Sequence, residues 1–388
     1  MLAIRNIGAS KTCLTIDDGR IVEIGVERTA DTILDARGGA VIPGLIDCHT
    51  HLVFAGSRSD EFVMRAKGMS YLEIAKAGGG ITRTVEAVRK ASLDELVELT
   101  LPRLQRMLSY GVTTVEVKSG YGLNVEDEIK ILLAVRKLQE LQPVELVPTY
   151  LAAHAIPTEY RSRRAAYVDL VVSDELMGRV ADEGLAEFVD VFCEESAFTV
   201  EESRRILEAG KRRGLAPRIH ADQLTQMGAS RLAAEIACVS ADHLERIDGG
   251  GIEALRSAGV IAGLLPGCSF YLGVAQAPAR RLLDSGVPVA FATNYNPGSS
   301  MVESLPLVLS IACAQMKVTP SEALEGATST AAAVLRREKR LGRIEKGMEA
   351  DLVVLDVGSA DEWLSEMGRN AVRSVLKRGQ VVYESPRS

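Results

Sequence analysis

VIPGLIDCHTHLVFAGSR, Val41 to Arg58, is the stretch on which the reading of this chain turns. An apolar run ends in His49-Thr50-His51. A strand alternates its side chains, so His49 and His51 point to one side. Two imidazoles on one face at a strand end can grip one metal ion. An isolated H-x-H is equally compatible with two polar residues at a strand terminus. What weighs against that is the scarcity of histidine: the chain has only five. The other three, His154, His220 and His243, each follow an apolar β-like run.

Working outward, similar runs recur at 44–54, 112–120, 144–154, 188–195, 215–222, 238–244, 260–267 and 287–294. Amphipathic segments separate them, at 93–110, 125–141, 174–183, 200–213, 227–235, 252–257 and 277–285, and 320–336 follows the last run. Eight strands alternating with helices predict an α/β fold, a (β/α)₈ barrel over 44–342. An open doubly wound sheet is the competing arrangement. The barrel is preferred because polar chemistry sits at nearly every strand C-terminus, where a barrel assembles its site. Residues 1–43 read as short strands only, with Gly and Asp in the turns. Residues 343–388 again contain strands, ADLVVLD and SVLKRGQVVYE. Neither end can bury both faces of a sheet alone, so one small β-sandwich built from both termini is expected. Residues 55–90 read as a long loop, carrying Arg58, Arg65, Tyr71, Gly78-Gly79-Gly80 and Arg83. Loops of that length are more often functional than incidental. The triple glycine lacks the strand–turn–helix setting and following Lys-Ser/Thr of a phosphate motif.

A length of 388 residues suits one large barrel with an appendage. The net charge of -7 argues against a nucleic-acid surface. No run approaches the roughly 18 apolar residues of a membrane span. The start, MLAIRNIGAS, lacks a basic region followed by an apolar core, so no secretion signal and a cytoplasmic location are expected. Cys13, Cys48, Cys193, Cys238, Cys268 and Cys313 are scattered without a C-x-x-C, as expected of reduced, mostly buried thiols. Cys48 should point away from the two histidines beside it.

Placed on a barrel rim, the polar strand ends converge. Strand one offers His49 and His51. Strand two ends at Lys118, before Gly120-Tyr121-Gly122. The next four end at His154, Glu194, His220 and His243, and strand eight at Asn294, before Asn296-Pro297-Gly298-Ser299-Ser300. His49, His51 and His220 would make an open site for Zn²⁺ or a similar ion. Such a site activates water or polarises a carbonyl. His154 and His243 remain for substrate contact or proton transfer.

Several of these pieces resemble one family. VIPGLIDCHTH and GRIEKGMEADLVVLD look like the metal-dependent amidohydrolase superfamily. HTHLVFAGSRSDEF (49–62), YLEIAKAGGGITRTVEAVR (71–89), EVKSGYGL (116–123), AAHAIP (152–157), HADQL (220–224), SADHL (240–244) and NPGSS (296–300) resemble the imidazolonepropionases. The resemblance covers nearly the whole chain. It implies hydrolytic opening of 4-imidazolone-5-propanoate to N-formimidoyl-L-glutamate, in histidine degradation, with one Zn²⁺ or Fe³⁺. It implies His49, His51 and His220 as metal ligands, with Asn294 at the position of a fourth. It places Arg58 on the propionate carboxylate, for which a guanidinium fork is apt. Tyr71, Tyr121, His154, Asn296 and Gly298 would line the substrate, and His243 would lie near the attacking water. The expected partner is thus a small molecule with a carboxylate tail, and the expected assembly a homodimer.

Two positions depart from a common form of the family pattern. Gln223 stands where HADE has Glu, the position that the resemblance makes the family's general base. Asn294 stands where A-T-D-x-N-P-G has Asp. Each amide keeps the shape of a carboxylate but carries no negative charge and cannot accept a proton. Three readings follow: a cyclic amidohydrolase weakened by the amides or using His243 as base; a diverged enzyme performing ring closure, isomerisation or hydrolysis of a related cyclic substrate; or a binding protein that traps substrate without turnover.

Overall fold

The structure, a computed structural model, describes residues 1–9, 11–26, 28–69, 73–74 and 79–386. The chain begins with strands β1 (Leu2–Ile7), β2 (Thr12–Asp17), β3 (Arg20–Ile24) and β4 (Thr32–Asp35), which form one sheet in the order β3-β2-β1-β4. β5 (Val41–Pro43) leaves that sheet and pairs with a strand from the far end of the chain. There, β14 (Leu352–Leu355), β15 (Val372–Lys377) and β16 (Gln380–Glu384) complete a second sheet, β16-β15-β14-β5. Ile4, Leu14, Ile16 and Ile21 of the first sheet share one buried cluster with Leu352, Val354 and Leu376 of the second. Each sheet therefore buries the face that it could not bury alone.

Between them run eight parallel strands: β6 (Leu45–Asp47), β7 (Val112–Lys118), β8 (Glu145–Ala153), β9 (Phe188–Cys193), β10 (Ala216–Ala221), β11 (Ser240–His243), β12 (Ile261–Leu264) and β13 (Val289–Phe291), each paired with its sequence neighbours. This is the expected (β/α)₈ barrel. Its seam is closed just past the ends of β6 and β13. Asn294 N donates to His49 O at 3.0 Å, and His51 N to Tyr295 O at 3.0 Å. Below, the Asp47 carboxylate accepts from Thr293 N at 3.1 Å and Thr293 Oγ1 at 2.6 Å. Burial pushes Asp47 up to about 7, against the Thr293 donors, which favour the carboxylate. The hydrogen bonds that close the barrel thus bring His49, His51 and Asn294 to one place.

Helix starts follow their sequence signals. Ser92 with Glu95, Thr199 with Glu202, and Thr319 with Glu322 each form a capping box, opening helices Leu93–Ser109, Val200–Arg212 and Pro320–Gly326. Among the described residues, the region expected as a long loop holds helices Ser59–Ala66 and Ile81–Lys90. In the second, Thr84, Val85 and Val88 are buried along one face, a periodicity too short to stand out beside three glycines. The expected helix over 320–336 is two, breaking between Gly326 and Ser329. The segment 174–183 opens as a π-turn, Asp174–Gly178, before helix Arg179–Asp182. Leu305–Met316 went unforeseen because it is apolar nearly all round and shows no amphipathic stripe. No helix among the described residues is long and apolar enough to cross a membrane.

Candidate active site

His49, His51 and His220 meet at the C-terminal mouth of the barrel, each with a ring nitrogen within 4.8 Å of the others. All three are buried. Burial first, and then Lys118 beside His49, His154 beside His51 and the neighbouring rings, pull all three below the ordinary histidine value. They are therefore neutral, the form that binds a metal. His49 Nδ1 faces Asp242 Oδ2 at 2.7 Å and His220 Nδ1 faces Asp190 at 3.1 Å. A carboxylate only accepts, so both rings carry the proton on Nδ1 and turn a bare Nε2 inward. His49 Nε2 is buried without a partner, and His51 Nε2 lies 3.5 Å from His220 Nε2. Two nitrogens on one tetrahedral zinc at about 2.0–2.1 Å stand roughly 3.3–3.4 Å apart. Asn294 Oδ1 is also buried without a partner. The donor set thus fits a metal ion.

Beneath the histidines the barrel is filled by charge. Lys118 Nζ lies 2.8 Å from both Glu116 and Asp190. Arg218 lies 2.8 Å from Asp242 and 3.4 Å from Glu116. Glu116 also accepts from Thr50 N at 3.1 Å, holding the residue between the two histidines. All five charged side chains are sealed from solvent. Burial opposes ionisation of Asp190, yet the Nδ1–H of His220 and the Lys118 ammonium outweigh it and hold its carboxyl well below the usual range. Two cations thus face three carboxylates, and the surplus is negative, the sign that favours a metal above. Of these five, sequence reasoning placed only Lys118 at the mouth. The signal was present as period-2 spacing: Glu116 and Lys118 share a face of β7, and Arg218 shares one with His220 on β10.

Beside the histidines stand His154 and Tyr121. His154 stacks on His51 at 4.8 Å, and Tyr121 lies 5.9 Å from His51 and 5.4 Å from His154. Burial and His220 take His154 down to about 3. Its Nδ1 lies 3.0 Å from Gly120 O. Gly120 has φ +105°, and a Cβ there would stand 3.1 Å from His154 Nδ1 and 2.8 Å from Leu151 O, so no other residue fits. The Glu128 carboxylate, which sequence reasoning missed, accepts from Gly120, Gly122 and Leu123 N–H groups and fixes the loop that carries Tyr121. Tyr71 lies outside the described residues.

His243 and Leu244 both take left-handed backbone, φ 82° and 69°. Such residues cost about 1–3 kcal/mol each and cluster at functional sites. The turn sets the His243 ring 5.3 Å from His220 and 5.7 Å from His49, with Nδ1 3.5 Å from Glu245 Oε1. Gln223 Nε2 lies 4.0 Å from Cys268 Sγ. Burial pushes the Cys268 thiol up to about 12, so it stays protonated. Cys48 packs in an apolar cluster with Ile46 and Ala292.

Arg58 is buried at the mouth and grips Glu61 through two bonds, Nε to Oε1 at 3.0 Å and Nη2 to Oε2 at 2.7 Å. Its guanidinium lies against Gly298, where a Cβ would stand 2.1 Å from Nη1. The loop that brings Gly298 there is shaped by Asn296. Its Oδ1 accepts from Gly298 N and Ser299 N, both at 2.8 Å, and its Nδ2 donates to Asn294 O at 2.6 Å. Both ends of the Asn296 amide are thus engaged within the loop.

The geometry agrees with what the chain is similar to. The amidohydrolase family description matches residues 40–382. An imidazolonepropionase of Myxococcus xanthus is 50% identical over 375 residues, covering 94% of this chain and 89% of that one. One of Geobacillus kaustophilus is 48% identical over 377 residues, covering 95% and 89%. Among solved structures, 5-methylcytosine deaminase of Klebsiella pneumoniae superposes with TM-score 0.79 at 18% identity, over 99% of this chain and 97% of that one. Zinc-complexed atrazine chlorohydrolase of Arthrobacter aurescens gives 0.76 at 20%, over 99% and 95%. At those identities the structures speak for the fold alone. Half-identical over nearly its whole length and carrying the three-histidine group at the barrel mouth, the chain belongs to the amidohydrolase family, in its imidazolonepropionase group.

Proposed function

We propose that the chain hydrolyses 4-imidazolone-5-propanoate to N-formimidoyl-L-glutamate. The observation that carries this is the neutral histidine triad at the barrel mouth, in a chain about half identical to imidazolonepropionases over nearly its whole length. Water adds to the ring carbonyl carbon, the bond from that carbon to the ring nitrogen breaks, and the nitrogen leaves protonated. The oxygen of water ends in the new carboxylate.

His49, His51 and His220 would hold one Zn²⁺ or Fe³⁺, with the Asn294 amide oxygen as a weak fourth donor. A cation bound there supplies Lewis acidity toward the ring carbonyl. Arg58 takes the propionate, while Tyr121 and His154 flank the ring. Gln223 cannot accept a proton, so His243 does, at Nε2, with Glu245 facing its Nδ1. Asn296 and Gly298 act by placing Arg58. Residues 1–43 with 343–388 form one β-sandwich domain, and 44–342 form the catalytic barrel.

The amides at Gln223 and Asn294 should slow this chemistry, since general-base catalysis typically contributes about 10²–10⁴-fold. The test is metal content and imidazolonepropionate consumption, with and without Gln223→Glu plus Asn294→Asp. The double variant should gain both metal and rate. An unaltered chain that already holds a full equivalent and turns over at least as fast would refute this view of the amides. A double variant that gains metal yet ignores the substrate would favour a diverged enzyme acting on a related ring.

A further inference from the structure

Arg58 is not a free cation. Glu61 occupies its Nε–Nη2 edge, and among the described residues no acceptor engages Nη1. Glu61 is itself almost fully buried, and its Oε1 also accepts from Gly80 N at 2.9 Å. It therefore cannot swing away without unfastening the start of helix Ile81–Lys90. Nor can the guanidinium retreat on its other side, because it lies against Gly298. Arg83 stands 3.9 Å from Glu61 but is committed to Asp60 at 2.5 Å. The four charges cancel. A guanidinium has five N–H groups in a fixed fork, so a second carboxylate can still bind Nη1 end-on while Glu61 stays.

We infer that Glu61 is a specificity-determining residue: it holds the Arg58 fork in place and cancels its charge, so that the tail site accepts one carboxylate and disfavours a doubly charged tail. This rests on the reading that Arg58 receives the substrate tail. The physical reason is that an incoming anion meets a neutral pair with one open fork. The second charge of a dianion meets an Arg58 already neutralised by Glu61, and it feels Glu61 across the guanidinium. At about 6 Å and an effective dielectric of about 20, one such charge changes an affinity roughly 100-fold, and solvent screening lowers this to about tenfold.

The experiment measures binding of three probes to the full chain by calorimetry: imidazole-4-propanoate, 2-(imidazol-4-yl)ethyl phosphate and 4-propylimidazole. At about pH 8 the phosphate monoester, with its second pKa about 6, is a dianion. The unaltered chain should bind the carboxylate at least about tenfold more tightly than the phosphate. Glu61→Gln should shift that ratio toward the phosphate by about tenfold or more. An unaltered chain that binds the phosphate as well as the carboxylate overturns the inference, and so does a folded Glu61→Gln whose ratio is unmoved. The first criterion needs no variant, so a Glu61→Gln that fails to fold leaves the inference exposed to it. Gly298→Ala keeps the Glu61 carboxylate but displaces the fork, and should weaken both anions while sparing 4-propylimidazole. If it weakens all three equally, Arg58 is not the tail site and the inference falls with it. An unaltered chain that prefers the carboxylate, shows the Glu61→Gln shift and yet leaves imidazolonepropionate intact supports the inference while overturning the hydrolytic reading.

Discussion

The barrel carries an ion network at each end, and the two are built differently. At the mouth, Glu116, Lys118, Asp190, Arg218 and Asp242 are sealed from solvent, and every one of them either touches a metal-site histidine or holds a residue that does. At the base, Glu145 gathers Arg337 at 2.9 Å, Arg340, and Lys377 at 3.7 Å. Arg337 goes on to Glu187 at 2.6 Å, Arg340 to Glu349 at 3.1 Å, and Lys377 to Asp351 at 2.5 Å. This second network fastens the barrel floor to the terminal sheets, and several of its members reach water. The same residue types therefore do two jobs. At the base, partial exposure keeps the cost of each charge low and the bonds act as fasteners. At the mouth the charges are costly to bury, and what they return is orientation of the imidazoles and a negative surplus beneath a cation.

The largest effect should come from removing a mouth cation. Lys118→Met strands Glu116 and Asp190 in the barrel interior, and breaking a buried pair typically costs about 3–5 kcal/mol. Urea unfolding should show a loss of that order. A loss as small as that of an exposed pair would erase the distinction between the two ends. At the base, Glu145 is held down at about 2 against an ordinary 4.5, with burial opposing and Arg340, Lys377 and Arg337 prevailing. A depressed carboxyl stabilises above its unfolded pKa and loses that contribution as pH falls through the folded value. Stability of the native chain should therefore drop between about pH 4.5 and 2 by at most about 3 kcal/mol from this group. Glu145→Gln should remove that part of the acid transition, and an unchanged acid profile would contradict the assignment. Smaller again, Asp242→Asn should lower metal affinity by about 10–100-fold, the usual cost of losing a carboxylate behind a ligating histidine. Metal titration monitored by mass spectrometry reads this directly. A loss no larger than that caused by Glu187→Gln at the base would show that the mouth network does not orient the ligands.

The same contrast explains what the sequence could reveal. The eight strands were legible because each is an apolar run, and their bounds moved by up to three residues, except that β6 ends at Asp47 rather than 54, so His49 and His51 lie just past it. His49, His51 and His220 were legible because histidine is rare here and strand ends define a barrel mouth. The carboxylates behind them were less visible, since Asp190 and Asp242 sit singly inside apolar strands with no spacing to mark them. Glu61 and Glu128 were invisible for another reason. Each acts on a loop through backbone or guanidinium contacts that depend on the folded path, and no local spacing announces them. The helices Ser59–Ala66 and Leu305–Met316 escaped because one is short and the other apolar on nearly every side.

The central claim is that the three histidines and the charges beneath them hold a metal on which turnover of imidazolonepropionate depends. The direct measurement is the rate of imidazolonepropionate consumption by the purified chain as metal is removed by chelation and restored as Zn²⁺ or iron, with bound metal counted at each point. The account predicts a rate that falls in step with the metal lost, returns on reloading, and is abolished together with metal binding in His220→Ala. Consumption that persists unchanged after the metal is gone, or in His220→Ala, would contradict it.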